Sequence, residues 1–249
     1  MRRGMGLCLG AMLNFFGSGG PVGAQELGAN VIAAELASPT DRYDHGVFGE
    51  ALEWGCLVLT VNSCPACANP QIKTVTLTLP QTRVFEDLQA RLADLDGDGL
   101  NEVVVVETDQ AKGASLAVYD ATGKRAATAF IGQARRWLAP AGIGDFDGDG
   151  RVEIAYVDRP HLARELVFVR YEGGQLREIA RAAGFTNHRF GDAAIAGGTR
   201  RCDGQDRLIL ASRDGTRLVE VTLRNGDLRQ TDLGALQSWA EIDQALQCP

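Results

Sequence analysis

The sequence predicts an all-β protein built from internal repeats. Two stretches match closely: "ARLADLDGDGLNEVVVVETD" from Ala90 and "AGIGDFDGDGRVEIAYVDRP" from Ala141 share an Asp-x-Asp-Gly-Asp-Gly-x-x-Glu run followed by a short β-branched strand, and their first aspartates, Asp94 and Asp145, lie 51 residues apart. Elsewhere short runs alternate apolar and polar residues, as in "SLAVYD", "ELVFVRYEG" and "RLVEVTLRNG", with Gly, Asp and Asn at the joins. That is the pattern of β-hairpins. Helical periodicity is weak except near the end of the chain, where Leu236, Trp239, Ile242 and Leu246 recur at helical spacing in "GALQSWAEIDQAL" and predict a short C-terminal helix.

The repeat continues in weaker form. "DGQDRLILASRD" from Asp203 aligns with "DGDGRVEIAYVD" from Asp147, and "HGVFGEALEWGCLVLTV" from His45 keeps the strand without the aspartates. "CLVLTV" and "KTVTLTL" read as two further strands, the second with Val75, Leu77 and Leu79 alternating with threonines as a half-buried strand requires. Repeats of about 50 residues, each worth roughly four short strands, point to a β-propeller. Residues 25–249 would hold four to five blades. An irregular β-sandwich using the same repeat is the alternative.

Residues 1–24 have a different composition: Arg2 and Arg3, an apolar stretch from Met5 to Phe16, then Val22-Gly23-Ala24 before Gln25. This order of charge, apolar segment and small residues is that of a secretory signal peptide. The stretch is too short for a spanning helix, which needs roughly 20 residues. The expectation is a periplasmic or secreted protein of one β-repeat domain, residues 25–249, that does not span a membrane. The formal net charge is −7 and becomes more negative once Arg2 and Arg3 are removed, with no Lys/Arg cluster dense enough to track a phosphate backbone. Nucleic acid is therefore excluded as a partner.

Export permits disulfides. Cys248 stands one residue from the end of the chain and Cys202 lies in an upstream loop, which favours a Cys202–Cys248 bridge. Cys56 is then left to pair with Cys64 or Cys67. The run Cys64-Pro65-Ala66-Cys67 lies between two strands, so it also reads as a hairpin loop with a local disulfide rather than a redox motif.

The two acidic loops carry the chemistry. Calcium takes six to eight oxygens, and a short loop supplies them by alternating inward side chains with turn residues. Asp94, Asp96 and Asp98 fit this scheme, with the carbonyl of Leu100 and a closing Glu102; Asp145, Asp147, Asp149, the carbonyl of Arg151 and Glu153 repeat it. Four carboxylates so close together repel one another unless a cation intervenes. The expectation is two structural calcium ions. An EF-hand would place its closing Glu at position twelve, on a helix. Here Val105 and Tyr156 hold that position and a strand follows.

These residues resemble the FG-GAP and VCBS-type repeats of extracellular β-propellers, including the calcium-bearing blades of integrin α-subunits. The resemblance covers Asp94, Asp96, Asp98 and Glu102, and Asp145, Asp147, Asp149 and Glu153, and it implies calcium held in a hairpin loop between blade strands. The Phe-Gly and Gly-Ala-Pro signatures are blurred, the nearest approach being Ala139 to Gly142. In the third copy the equivalent positions are Arg201, Asp203, Gln205 and Ile209, which cannot form a calcium cage.

Three histidines, His45, His161 and His188, fall in different repeats, with Arg159, Arg164 and Arg189 beside the last two. A radial arrangement of blades would let His161, His188 and Arg189 face one opening and bind an acidic ligand. No nucleophile elbow, Walker loop or metalloprotease helix is present. The function expected is a binding or scaffold module for a protein or glycan partner. The alternative is a propeller enzyme, a hydrolase or lyase, with a central His/Arg site.

Overall fold

The computed structural model describes residues 28–49 and 52–248. Residues 1–24, for which a signal peptide is expected, lie outside them. The described chain is almost entirely β, in three antiparallel sheets with one short helix.

Strands β1 (Asn30–Thr40), β2 (Glu53–Asn62) and β3 (Ile72–Thr78) form a first antiparallel unit with β2 in the middle. Strands β5 (Arg91–Ala93), β6 (Glu102–Asp109), β7 (Gly113–Asp120) and β8 (Gly123–Ala127) form a four-stranded meander. The short β4 (Arg83–Phe85) pairs with both β2 and β6, which joins these two units into one eight-stranded sheet. Strands β9 (Leu138–Gly144), β10 (Glu153–Asp158), β11 (Glu165–Glu172) and β12 (Gln175–Ala183) make a separate meander. In the last unit β15 (Gln205–Ser212), β16 (Arg217–Arg224) and β17 (Asp227–Ala235) follow in order, with β13 (Phe185–Thr186) and β14 (Gly198–Cys202) sharing the other edge of β15.

The continuous apolar runs arise because the middle strands are buried on both faces. Val103 and Val105 of β6 meet Leu57 and Leu59 of β2, while Val104 and Val106 meet Ile154 and Tyr156 of β10. Ala155 and Val157 turn the other way, onto Leu208 and Leu210 of β15. Phe146 and Phe168 meet edge to face, 5.2 Å apart, in the cluster between the third and fourth units. Period-2 alternation thus hands each face of a strand to a different neighbour, and the units stack in chain order.

The free face of the last unit is closed by α1 (Ala240–Ala245), where Ile242, fully buried, packs with Ile209, Ala211 and Leu236. A helix takes the place where another blade would stack. A disulfide between Cys202 and Cys248 ties the segment after α1 back to β14.

One expectation is corrected. Cys56 bonds with neither Cys64 nor Cys67; those two bond to each other in the β2–β3 turn, and Cys56 is a free, buried thiol 3.3 Å from the Thr78 hydroxyl. Cys56 lies within β2, where each residue advances the chain by roughly 3.3 Å, so the turn is far out of reach of its sulfur.

Candidate metal centres and a histidine–arginine pocket

The first acidic loop joins β5 to β6. The Asp94 carboxylate organises it: Oδ1 accepts the amides of Gly97 at 2.8 Å and Asp98 at 3.1 Å, and Oδ2 accepts that of Gly99 at 3.0 Å. Gly97 and Gly99 have φ of 78° and 84°, a region that residues with a Cβ enter only at a cost, and this lets the loop curl around its acids. Glu102 opens β6 with a buried side chain whose Oε2 accepts the Leu95 amide at 2.8 Å. Carboxylate oxygens of Asp94, Asp96 and Glu102 lie within 4.8 Å of one another. Asp98 is turned aside, its Oδ1 accepting the Leu100 amide. Burial raises the Glu102 pKa to about 7, with the charges of Asp96, Asp98 and Asp94 adding to the shift. Burial and Asp98 raise Asp96 as well. An all-oxygen donor set with uncompensated negative charge fits a hard divalent cation.

The second loop, between β9 and β10, repeats these bonds residue by residue. Asp145 accepts the amides of Gly148, Asp149 and Gly150, and Glu153 Oε2 accepts that of Phe146 at 2.9 Å. Asp145, Asp147 and Glu153 bring their oxygens within 4.8 Å. One component differs. Arg170 reaches in from β11, where it pairs with Glu153, and is buried. Its Nε donates to Glu153 Oε1 at 2.8 Å, and its terminal nitrogens donate to Asp147 Oδ2 at 3.1 Å and Asp149 Oδ2 at 3.2 Å. Arg151 adds a second guanidinium, on Asp149 at 2.7 Å and Glu172 at 2.8 Å. Burial raises the Glu153 pKa, and the Arg170 contact opposes that shift.

In the fourth unit the loop is absent, because the β-ladder runs straight through it. Gly198 pairs with Ile209 and the pairing continues to Cys202 and Gln205, leaving a two-residue turn of Asp203 and Gly204, both with positive φ. That is the tight hairpin geometry which strand twist favours. Arg201 and Asp206, directly opposite, form a bidentate ion pair, and Asp206 Oδ2 also accepts the Asp145 amide at 2.9 Å.

Residues 94–156, which run from Asp94 of the first loop to Tyr156 beyond the second, match the family of FG-GAP-like repeats. This segment is an FG-GAP-like repeat. No curated protein matches the chain. The match begins at the first acidic loop and ends just beyond the second, so the FG-GAP-like repeat contains both candidate cation sets and leaves Arg170 outside it.

A second constellation lies apart from the FG-GAP-like repeat. His161 Nε2 and His188 Nδ1 are 3.0 Å apart, and His188 Nε2 lies 2.9 Å from the Asp192 carbonyl oxygen. A carbonyl only accepts, so His188 donates from Nε2 and its Nδ1 accepts the proton of His161 Nε2. Burial lowers both pKa values, that of His161 to about 4 with the proximity of His188, His45 and Arg164 adding to the shift. His45 joins the cluster through Phe190 and donates to Glu86 at 2.5 Å. Arg189, Arg164 and Arg213 line a cavity of about 230 Å³ beside His161, with Phe190 and Trp239 as aromatic walls. Arg189 stacks over the Trp239 ring at 4.3 Å. Among the described residues none of these three arginines pairs with a carboxylate.

Sequence reasoning placed His161, His188 and Arg189, and the structure brings them together around one cavity. It missed Arg170 and Arg213. The signal for Arg170 was present, as a lone cation inside the apolar run "LVFVRY". It also missed a buried acid cluster: Glu53, 1% exposed, has no hydrogen-bond partner among the described residues, and burial with Glu86 and Asp87 nearby raises its pKa to about 9.

Proposed function

We infer that the protein is an exported, calcium-stabilised, β-propeller-like module that binds an acidic protein or glycan partner. The observation that carries this reading is the convergence of Arg164, Arg189 and Arg213 with His161 on one aromatic-walled cavity, where among the described residues none of the three guanidiniums is paired with a carboxylate and the one acid of the lining, Asp214, is bonded instead to Ser212 and Thr216. Guanidinium groups recognise carboxylates and sulfates in bidentate fashion, and aromatic walls suit the apolar faces of sugars and peptides. The Trp239 Nε1 donor at the same cavity has no acceptor among the described residues. Two disulfides fit an oxidising compartment, and no helix among the described residues is long and apolar enough to cross a membrane.

Calcium acts here as a structural ion. Asp94, Asp96 and Glu102, with the Leu100 carbonyl and Asp98 within the same loop, are the ligands this reading names at the first loop, and Asp145, Asp147 and Glu153 are the corresponding set at the second, with Asp149 and the Arg151 carbonyl. The ion would neutralise carboxylates whose burial otherwise disfavours their charge. Replacing Asp96 with Ala should lower the melting temperature in calcium and leave it nearly unchanged in chelator, because a ligand that binds only the native state stabilises by mass action, about 2.7 kcal/mol at a hundred times its Kd. Equal losses in both conditions refute the calcium part. For the pocket, a thermal-shift titration with a poly-glutamate peptide and with an acidic polysaccharide should respond to Arg189→Ala combined with Arg213→Ala. A ligand response that survives the double variant refutes the pocket.

A hydrolase or lyase is the second reading, and the gathering of three histidines favours it. It requires turnover that disappears in His161→Gln, whereas a binding module loses affinity only.

A further inference from the structure

We propose that the second acidic loop is closed by the protein's own Arg170 and takes no calcium, so that the chain carries one calcium site, at Asp94–Glu102, rather than two. The inference rests on the calcium reading of the first loop.

The two loops have the same backbone and the same acids, so the difference between them lies in what faces them. At the second loop the Arg170 guanidinium donates to Asp147, Asp149 and Glu153 together. Asp147 and Glu153 are two of the three residues whose oxygens converge there. A calcium ion would need those same oxygens, and would have to sit against a cation whose side chain is only 5% exposed. Moving that guanidinium aside breaks its bonds to Asp147, Asp149 and Glu153 together and leaves a buried charge without those partners, while Glu172 beside it is already paired with Arg151.

At the first loop the facing position is acidic. Val103 pairs with Tyr119 as Ile154 pairs with Val169, which puts Asp120 where the second loop has Arg170. Asp120 turns its carboxylate to Thr122 and Gly123 in its own turn and to Arg125 at 3.2 Å, and among the described residues no basic side chain forms an ion pair with the acids of the first loop. Both loops also line one groove of about 420 Å³ between the second and third units. A guanidinium beside one dication repels it less than a second dication would.

The test is equilibrium dialysis of the full chain against radioactive calcium. The expected result is one tightly bound ion in the wild type, none in Asp96→Asn, one still in Asp147→Asn, and two in R170Q, whose second loop gains at least tenfold in affinity; R170K, which keeps the positive charge, should stay at one. Two ions of similar affinity in the wild type, one of them lost in Asp147→Asn, overturn the inference and leave the calcium reading standing. No calcium in the wild type removes both. Hydrogen exchange of the wild type gives an answer that needs no variant to fold. Chelator should expose the amides of Gly97, Asp98 and Gly99 while those of Gly148, Asp149 and Gly150 stay protected, and equal loss at both loops overturns the proposal.

Discussion

Replacing Cys202 and Cys248 together by alanine tests how the last unit is held. The bridge closes a loop with a sequence separation of 46 that contains β15, β16, β17 and α1. On the chain-entropy account, cross-linking a loop of that length stabilises the folded state by about 4 kcal/mol, whereas the separation of 3 between Cys64 and Cys67 supports less than about 2 kcal/mol. The double variant should therefore unfold at clearly lower urea concentration than the matching Cys64→Ala, Cys67→Ala variant. In melting temperature the larger loss corresponds to roughly 10 °C for a chain of this size. Urea unfolding followed by tryptophan fluorescence reads the change directly, since Trp137 is buried between the second and third units and Trp239 sits at the start of α1. A loss below about 1 kcal/mol, or one no larger than that of the short bridge, would refute the idea that this disulfide pins the unit.

Four further outcomes follow from burial, close contact and backbone conformation. His161 titrates at about 4 in the fold against 6.5 when unfolded, so the unfolded chain takes up the proton first and stability falls as pH drops from about 6.5 toward 4; His161→Gln should flatten that limb of a melting-temperature profile. Glu53 has the opposite sign: with its folded pKa raised from 4.5 to about 9, the fold binds the extra proton between those values, and stability is lost as pH rises through them. Glu53→Gln should remove the slope and raise the melting temperature at pH 8. Gly144→Ala would place a methyl carbon 2.5 Å from Asp206 Oδ2, an atom committed to the Asp145 amide and the Arg201 pair, and should cost about 1–3 kcal/mol in chemical denaturation. Gly97→Ala meets no atom within 4 Å and should cost only its positive φ, about 1 kcal/mol.

The repeat was legible because its marker residues do local work. Asp94 and Asp145 each bind three amides within five residues, so loop geometry and sequence motif coincide. The strands were legible for the same reason: a central strand buried on both faces has to be an apolar run, as β6 and β10 are. What escaped depends on residues distant in sequence. Arg170 meets Asp147 across 23 positions, and Arg213 reaches the cavity of His161 from another sheet. Neither contact leaves a periodic trace. The joining of the first two units also escaped, because β4 is three residues long and pairs on both sides. The third copy was misleading in a useful way: its sequence aligns with a loop, but a two-residue turn lets the ladder run through where the loop would have been.

The pocket and the disulfide are physically linked, and the link makes a last prediction. Trp239 forms a wall of the arginine cavity and is also the residue that starts α1. Its ring is held between Arg189 on one side and the packing of Ile242 and Leu246 around β15 on the other. Among the described residues the one covalent tie on that segment is Cys248, three residues past α1. Reduction should therefore loosen Trp239 before it unfolds the sheets, since a helix of six residues has little stability of its own. Under mild reductant, acrylamide quenching of Trp239 in a Trp54→Phe, Trp137→Phe background should rise several-fold, and the thermal-shift response to acidic probes should fall with it while the far-ultraviolet β signal stays constant. Should quenching rise only together with loss of the β signal, the cap and the cavity are no more labile than the rest of the fold, and the coupling between them is refuted.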